Sequence, residues 1–263
     1  MMIQTNVAQH PAAQPIARNL IAVASGKGGV GKTWLSITLS HALARLGHKV
    51  LLFDGDLGLA NVDIQLGLMP RFDVGTVISG RALIQDAITP FEAGGFDILA
   101  GRSGSGSLAT IPASQLGGLR SALMALCPSY DMVVLDLAAG LEDNVRALAA
   151  LAGTCLIVTS DEPTSITDAY AFVKVLASQR RAASVRLLVN MAGSIAEGEK
   201  TYQTLAKACE GFLNIWPPLA GIVRRDNKVR ESIRRQTPII IRHPSAPAAA
   251  DVEAIAAKLA KTI

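Results

Sequence analysis

The chain has 263 residues, half of them hydrophobic and only 4% aromatic, with 25 Lys and Arg against 21 Asp and Glu for a net charge of +4. That length and apolar content suffice for one α/β domain with a sizeable core, and the Ala, Leu, Ile and Val content suits helices packed on a parallel sheet. No run approaches the ~20 apolar residues that cross a bilayer, and the amino end lacks the charged-then-apolar pattern of a signal peptide. Cys127, Cys155 and Cys209 are too widely spaced for a metal or redox motif, so the chain reads as cytoplasmic.

Residues 1–18 carry Gln, Asn, His and two prolines without periodicity, and are expected to form a loose tail before a domain spanning 19–263. The apolar run from Leu20 to Ala24 reads as a buried strand. Directly after it, Gly26 to Thr33 satisfies G-x-x-x-x-G-K-[ST], and a helical pattern follows with Leu35, Leu39, Leu43 and Leu46 on one face. Strand, glycine loop and helix in that order form a phosphate-binding loop. Glycines let backbone N–H groups converge on phosphate oxygens, and the helix points its positive end at them. The reading is a nucleoside triphosphate site in which Lys32 neutralises the β/γ-phosphates and the Thr33 hydroxyl ligates Mg²⁺. Lys27 puts a second cation into a loop that ordinarily needs one. It can serve the chain's own phosphates or those of a facing subunit.

Further short strands are expected at Val50–Phe53, Asp97–Leu99, Met132–Leu135, Leu156–Thr159, Arg186–Val189 and Leu219–Val223. Helical patterns at 114–126, 164–179, 197–212 and 247–261 separate most of them. This alternation implies an α/β fold: a single doubly wound, mostly parallel sheet with helices on both faces and ligands at its carboxyl edge. Gly101 to Ser107 reads as a flexible loop. The last helix carries Val252, Ile255 and Leu259 on one stripe and is expected to cover the sheet rather than anchor in a membrane. Arg224, Arg225, Lys228, Arg230, Arg234 and Arg235, set against Asp226 and Glu231, concentrate a local excess equal to that of the whole chain. Such a patch suits an anionic surface, DNA or membrane, or equally a solvated helix face.

Acidic residues complete the candidate site. Asp54 and Asp56 stand at alternate positions just past the second strand. Asp56 is the candidate for orienting the attacking water, and Asp54 for supporting the Mg²⁺ shell or the lysine. Asp63 is expected to cap the next helix. Met132 to Asp136 is an apolar strand ending in an acid, where Asp136 would hold Mg²⁺ through water. Thr164 or Ser165 is expected to cap the helix that follows. Asn190 ends another strand at the same edge, where a bare Asn reads as a turn residue and, on the family resemblance given below, as an adenine contact.

The run from Lys27 to Thr33, KGGVGKT, resembles the deviant P-loop of the MinD/ParA family of ATPases, and the resemblance extends from about residue 20 to the end. It implies a P-loop ATPase of that fold, slow in hydrolysis, using ATP, ADP and Mg²⁺, and held as an ATP-dependent homodimer because Lys27 reaches the partner's nucleotide. It assigns Lys27, Lys32 and Asp56 to catalysis. Nucleotide contacts fall to Gly28, Gly29, Val30, Gly31, Lys32, Thr33, Trp34, Asn190 and Asp226, and the metal to Thr33, Asp54 and Asp136. Asp54 to Asp63 and Glu162 to Tyr170 are similar to the FlhG-like branch of flagellar-number regulators. That likeness implies control of flagellar number or placement, a signal-recognition-type flagellar GTPase or a flagellar transcription factor as partner, and a peripheral site at the inner face of the membrane. The chain departs from its relatives at Leu137, where they carry Thr or Ser, at Met191 for Arg, at Arg224 for Pro, and in lacking a DQAxxL-like segment. Alternatives within the family are a ParA-like DNA-binding partition or transcription-modulating ATPase and a division-site MinD. An iron-protein reading would need cluster-sharing cysteines that Cys127 and Cys155 do not match.

Overall fold

Eight strands line up in one sheet in the computed structural model, which describes residues 16–101, 112–178 and 184–262. They are β1 (Ala17–Ser25), β2 (Val50–Gly55), β3 (Ile88–Phe91), β4 (Phe96–Leu99), β5 (Met132–Ala139), β6 (Ala152–Thr159), β7 (Ser184–Ala192) and β8 (Leu219–Arg224). Their order is β3-β4-β2-β5-β1-β6-β7-β8, parallel except for the β3–β4 edge. β1 is central because its run from Leu20 to Ala24 is apolar without a break, as a strand covered on both faces requires. Leu20, Ala22 and Ala24 enter one core and Ile21 and Val23 the other. The chain leaves β1 toward β2 on one side, returns to β5, then crosses to β6 on the other. The loop after β1 therefore lies where strand order reverses, the ligand crevice of doubly wound sheets.

Helices cover both faces. α1 (Lys32–Arg45), α2 (Val62–Leu66), α8 (Asn227–Arg234), α9 (Ile239–Arg242) and α10 (Pro247–Leu259) lie on one. The other carries α3 (Val74–Ile78), α4 (Ala113–Leu126), α5 (Asp143–Ala149), α6 (Pro163–Ser178) and α7 (Ile195–Leu213). Phe53 and Phe172 are fully buried in that second core, each stabilising the fold by roughly 2–3 kcal/mol through area removed from water. α10 buries Val252, Ile255 and Leu259 against α1 and β8, the covering role its stripe suggests. No helix among the described residues is long and apolar enough to cross a membrane. The three cysteines are buried in the α3–α7 core, where burial pushes the thiols of Cys127, Cys155 and Cys209 up to about 11, 12 and 11.

The structure departs from expectation in several places. β1 starts at Ala17, inside the expected tail. α1 ends at Arg45, so Leu46 leaves the apolar face and is 51% exposed. β3 has no counterpart in the sequence reading because Pro90 and only four residues give no alternation, and such strands survive at edges. The short helices α3, α5 and α9 have no counterpart in the sequence reading because one or two turns carry too little period. The tail before residue 16, the glycine-serine stretch from 102 onward and the last residue of the 164–179 pattern lie outside the described residues.

Candidate functional site

The loop after β1 is shaped by its glycines. Gly29 and Gly31 have φ of 81° and 84°, left-handed values at which a side chain would be strained. Gly26 lies so close to α6 that an added Cβ would stand 2.3 Å from the Asp168 carbonyl oxygen. The loop runs into α1, whose first N–H groups have no intrahelical partner and converge on the crevice.

The two lysines of the loop take opposite directions. Lys32 turns inward, 9% exposed, and donates from Nζ to the Ser25 hydroxyl at 2.8 Å. Burial lowers the pKa of its ammonium, while Asp136 and then Asp56 pull it back up. Lys27 turns outward along the loop and donates to the Glu162 carboxylate and, at 2.9 Å, to Thr164 Oγ1.

Two carboxyls are sealed beneath the loop. Asp54 and Asp136 are paired in register on β2 and β5, 0% and 1% exposed. Burial raises both pKa values; their mutual charge raises Asp54 further, while Thr33, Lys32 and Ser36 hold Asp136 back. Ser36 donates to Asp136 Oδ1 at 3.0 Å. Asp54 accepts backbone N–H groups from Asp56 at 3.1 Å, Asn61 at 3.0 Å and Val62 at 3.1 Å. It therefore ties the loop after β2 to the start of α2. Asp56 is half-buried and accepts from the N–H groups of Gly58 and Leu59 through Oδ1. Beside it opens a cleft of about 300 Å³, walled by Leu57, Leu59, Ala138, Val145 and Glu142.

This arrangement fits a Mg²⁺ nucleotide. A Gly cradle, a buried cation and a buried acid lie within one crevice, and a divalent cation would hold Asp136 ionised where burial alone disfavours charge. Among the described residues no three acids or histidines converge as a ready-made cage, in keeping with Mg²⁺ taking most of its ligands from phosphates and water.

Other expected site residues have different surroundings. Asp54 is engaged by three backbone donors, which organise the loop after β2 around it. Asn190, 2% exposed, donates from Nδ2 to the Val30 carbonyl at 2.8 Å and accepts from Met191 N at 2.9 Å. Its carboxamide braces the P-loop from below. Trp34 sends its indole into the α1–α10 core, 6% exposed, leaving only its backbone at the crevice. Asp226 caps α8 by accepting from Lys228 N at 2.8 Å.

Asp63 lies within the first turn of α2 rather than at its N-cap, which is Asn61, and accepts from the Ile64 N–H at 2.8 Å. Neither Thr164 nor Ser165 caps α6. Pro163 opens that helix, Thr164 serves Lys27, and Ser165 accepts from Ser160 N. Arg224 leaves the basic patch, since its guanidinium forks onto Asp251 at 2.8 and 2.9 Å. Glu231 takes Lys228 at 3.2 Å and Arg242 at 3.1 Å. Arg225, Arg230, Arg234 and Arg235 stay exposed, the last three around a groove on α8. Sequence reasoning missed Ser25, Ser36 and Glu162. Ser36 was legible as one helical turn past Thr33, whereas nothing local marks Glu162 as the partner of a lysine 135 residues earlier.

Residues 21–239 match the family model described as the CobQ/CobB/MinD/ParA nucleotide binding domain. The chain is 39% identical over 240 residues to the antiactivator FleN of Pseudomonas aeruginosa, covering 91% of this chain and 85% of that protein. It is 33% identical over 190 residues to the flagellum site-determining protein YlxH of Helicobacter pylori, covering 72% of this chain and 64% of that relative's own length. The septum site-determining protein MinD of Pyrococcus horikoshii, solved in complex with Mg-ADP, superposes with a TM-score of 0.80 at 26% identity, over 93% of this chain and 97% of that one.

Proposed function

The chain belongs to the CobQ/CobB/MinD/ParA nucleotide-binding family, and from that premise we propose that it is an ATP-dependent dimerisation switch with slow hydrolysis that regulates flagellar number or placement. The single observation that carries the switch is the division of labour between the two lysines. Lys32 is buried beneath the loop while Lys27 lies on its outer side, partly exposed; in this reading Lys32 serves the chain's own β/γ-phosphates and Lys27 those of a facing subunit. The flagellar assignment is supported by the likeness to FleN and YlxH.

In this reading the N–H groups of residues 28–34 receive the phosphates, and the Gly29 and Gly31 conformations let them converge. Asp56 orients the attacking water through Oδ2, since Oδ1 is occupied by Gly58 and Leu59. Thr33 and Asp136 would hold Mg²⁺, which supplies charge neutralisation at the β/γ-phosphates. Leu137, 1% exposed, belongs to the α3–α7 core and offers no hydroxyl beside Asp136, in keeping with slow turnover. Partners in the same reading are a signal-recognition-type flagellar GTPase or a flagellar transcription factor, with a peripheral position at the membrane's inner face.

A second reading, a ParA-like DNA-binding ATPase, is favoured by the α8 groove lined by Arg230, Arg234 and Arg235. Binding there would weaken steeply with salt.

Light scattering with ADP, with ATP and with an Asp56→Ala variant tests the main reading. The expected result is a dimer with ATP only, prolonged by Asp56→Ala and lost in Lys27→Ala. A monomer under all conditions, with nucleotide bound, would overturn the switch.

A further inference from the structure

We propose that Glu162 and Thr164 are positioning residues that park Lys27 on its own protomer and thereby set how readily two protomers pair. The inference rests on the dimerisation reading above.

Three features fix Lys27 in this position. Its Nζ donates to Glu162 and to Thr164 Oγ1. Its carbonyl accepts from the Ser25 hydroxyl at 2.6 Å, which orients the backbone from which the side chain leaves. Gly26, one residue earlier, is seated against the Asp168 backbone with no room for a Cβ, so the start of the loop is packed directly on α6. A lysine held there cannot at the same time reach across to a facing nucleotide. Pairing of protomers through Lys27 therefore costs this contact.

The contact has the strength of a threshold rather than a lock. The Lys27 and Glu162 side chains are 35% and 61% exposed, so water screens the pair. Exposed ion pairs of this kind bias an equilibrium by roughly two- to fivefold. A dimer opens two of them, so the effects multiply to about four- to twenty-five-fold in the dimer dissociation constant. Release does not strand the carboxylate, because the Arg225 charge also acts on Glu162 and favours its ionised form. Glu162 thus lies between the extra P-loop lysine and the first exposed arginine of the basic segment, and can change partner as Lys27 departs.

The test measures dimer dissociation by light scattering with a saturating non-hydrolysable ATP analogue, for the parent, Glu162→Gln, Thr164→Val and Glu162→Gln combined with Lys27→Ala. In parallel, nucleotide-free protein is pulsed with acetic anhydride and Lys27 acylation is read by mass spectrometry. The proposal expects tightening by about four- to twenty-five-fold in Glu162→Gln, a smaller shift the same way in Thr164→Val, and no tightening in the double variant. It also expects faster Lys27 acylation in both single variants, which a merely structural role would not produce. An unchanged or weaker dimer in Glu162→Gln, or unchanged Lys27 acylation, overturns it. Absence of a parental dimer with the analogue defeats the dimerisation reading instead, and the acylation arm then judges the parking contact by itself.

Discussion

Replacing Asn190 by Ala separates bracing of the P-loop from recognition of a base. The carboxamide is 2% exposed and has two partners, the Val30 carbonyl at 2.8 Å and the Met191 N–H at 2.9 Å. Val30 is itself 3% exposed, so its carbonyl has no ready access to water. Leaving a buried polar group without a partner costs about 1–3 kcal/mol. The Val30 carbonyl meets that condition fully and the half-buried Met191 N–H in part, giving a total of about 2–4 kcal/mol. For a chain of this size each kcal/mol lowers the melting temperature by about 2–4 °C, so the expected loss is roughly 4–16 °C. The assay is thermal unfolding followed by circular dichroism without nucleotide, a condition in which a base-reading side chain contributes nothing. The reasoning is refuted if Asn190→Ala melts within about 1 °C of the parent when empty and differs only in its response to ATP.

Two further expectations concern His41 and Gly26. His41 is 5% exposed, and burial and then Arg45 lower its pKa from 6.5 to about 4. The unfolded chain binds the proton first, so this contribution is complete above pH 6.5 and is lost as pH falls toward 4, reaching about 3 kcal/mol. Urea unfolding at pH 7 and pH 4.5 should show a smaller acid loss in His41→Leu than in the parent, and equal losses would disprove the assignment. Gly26→Ala drives a Cβ into the Asp168 carbonyl and should destabilise the empty protein by about 1–3 kcal/mol while weakening ATP binding, measured by calorimetry. Parental ATP affinity in that variant would show that the seat on α6 does not shape the loop.

What the sequence determined by itself is the scaffold of the site. Runs such as Val50 to Phe53 and Met132 to Leu135 are apolar on both faces, and only a covered parallel strand tolerates that. Gly26 to Thr33 names its own conformation, because Gly29 and Gly31 take backbone angles that other residues avoid. The placement of Lys32 beneath that loop follows from strand-loop-helix geometry within one short stretch of chain. Tertiary structure decided everything that depends on distant segments meeting. Nothing local to Asp54 shows that the chain folds back so that Asn61 and Val62 present their N–H groups to it. Asn190 reads as a turn residue or a base contact, and only the sheet order shows its amide under Val30. Arg224 counts toward a basic patch until α10 brings Asp251 against it, 27 residues later. Local propensity and period are written in neighbouring residues, whereas the partner of a charge or an amide is set by which strands and helices the sheet order brings together.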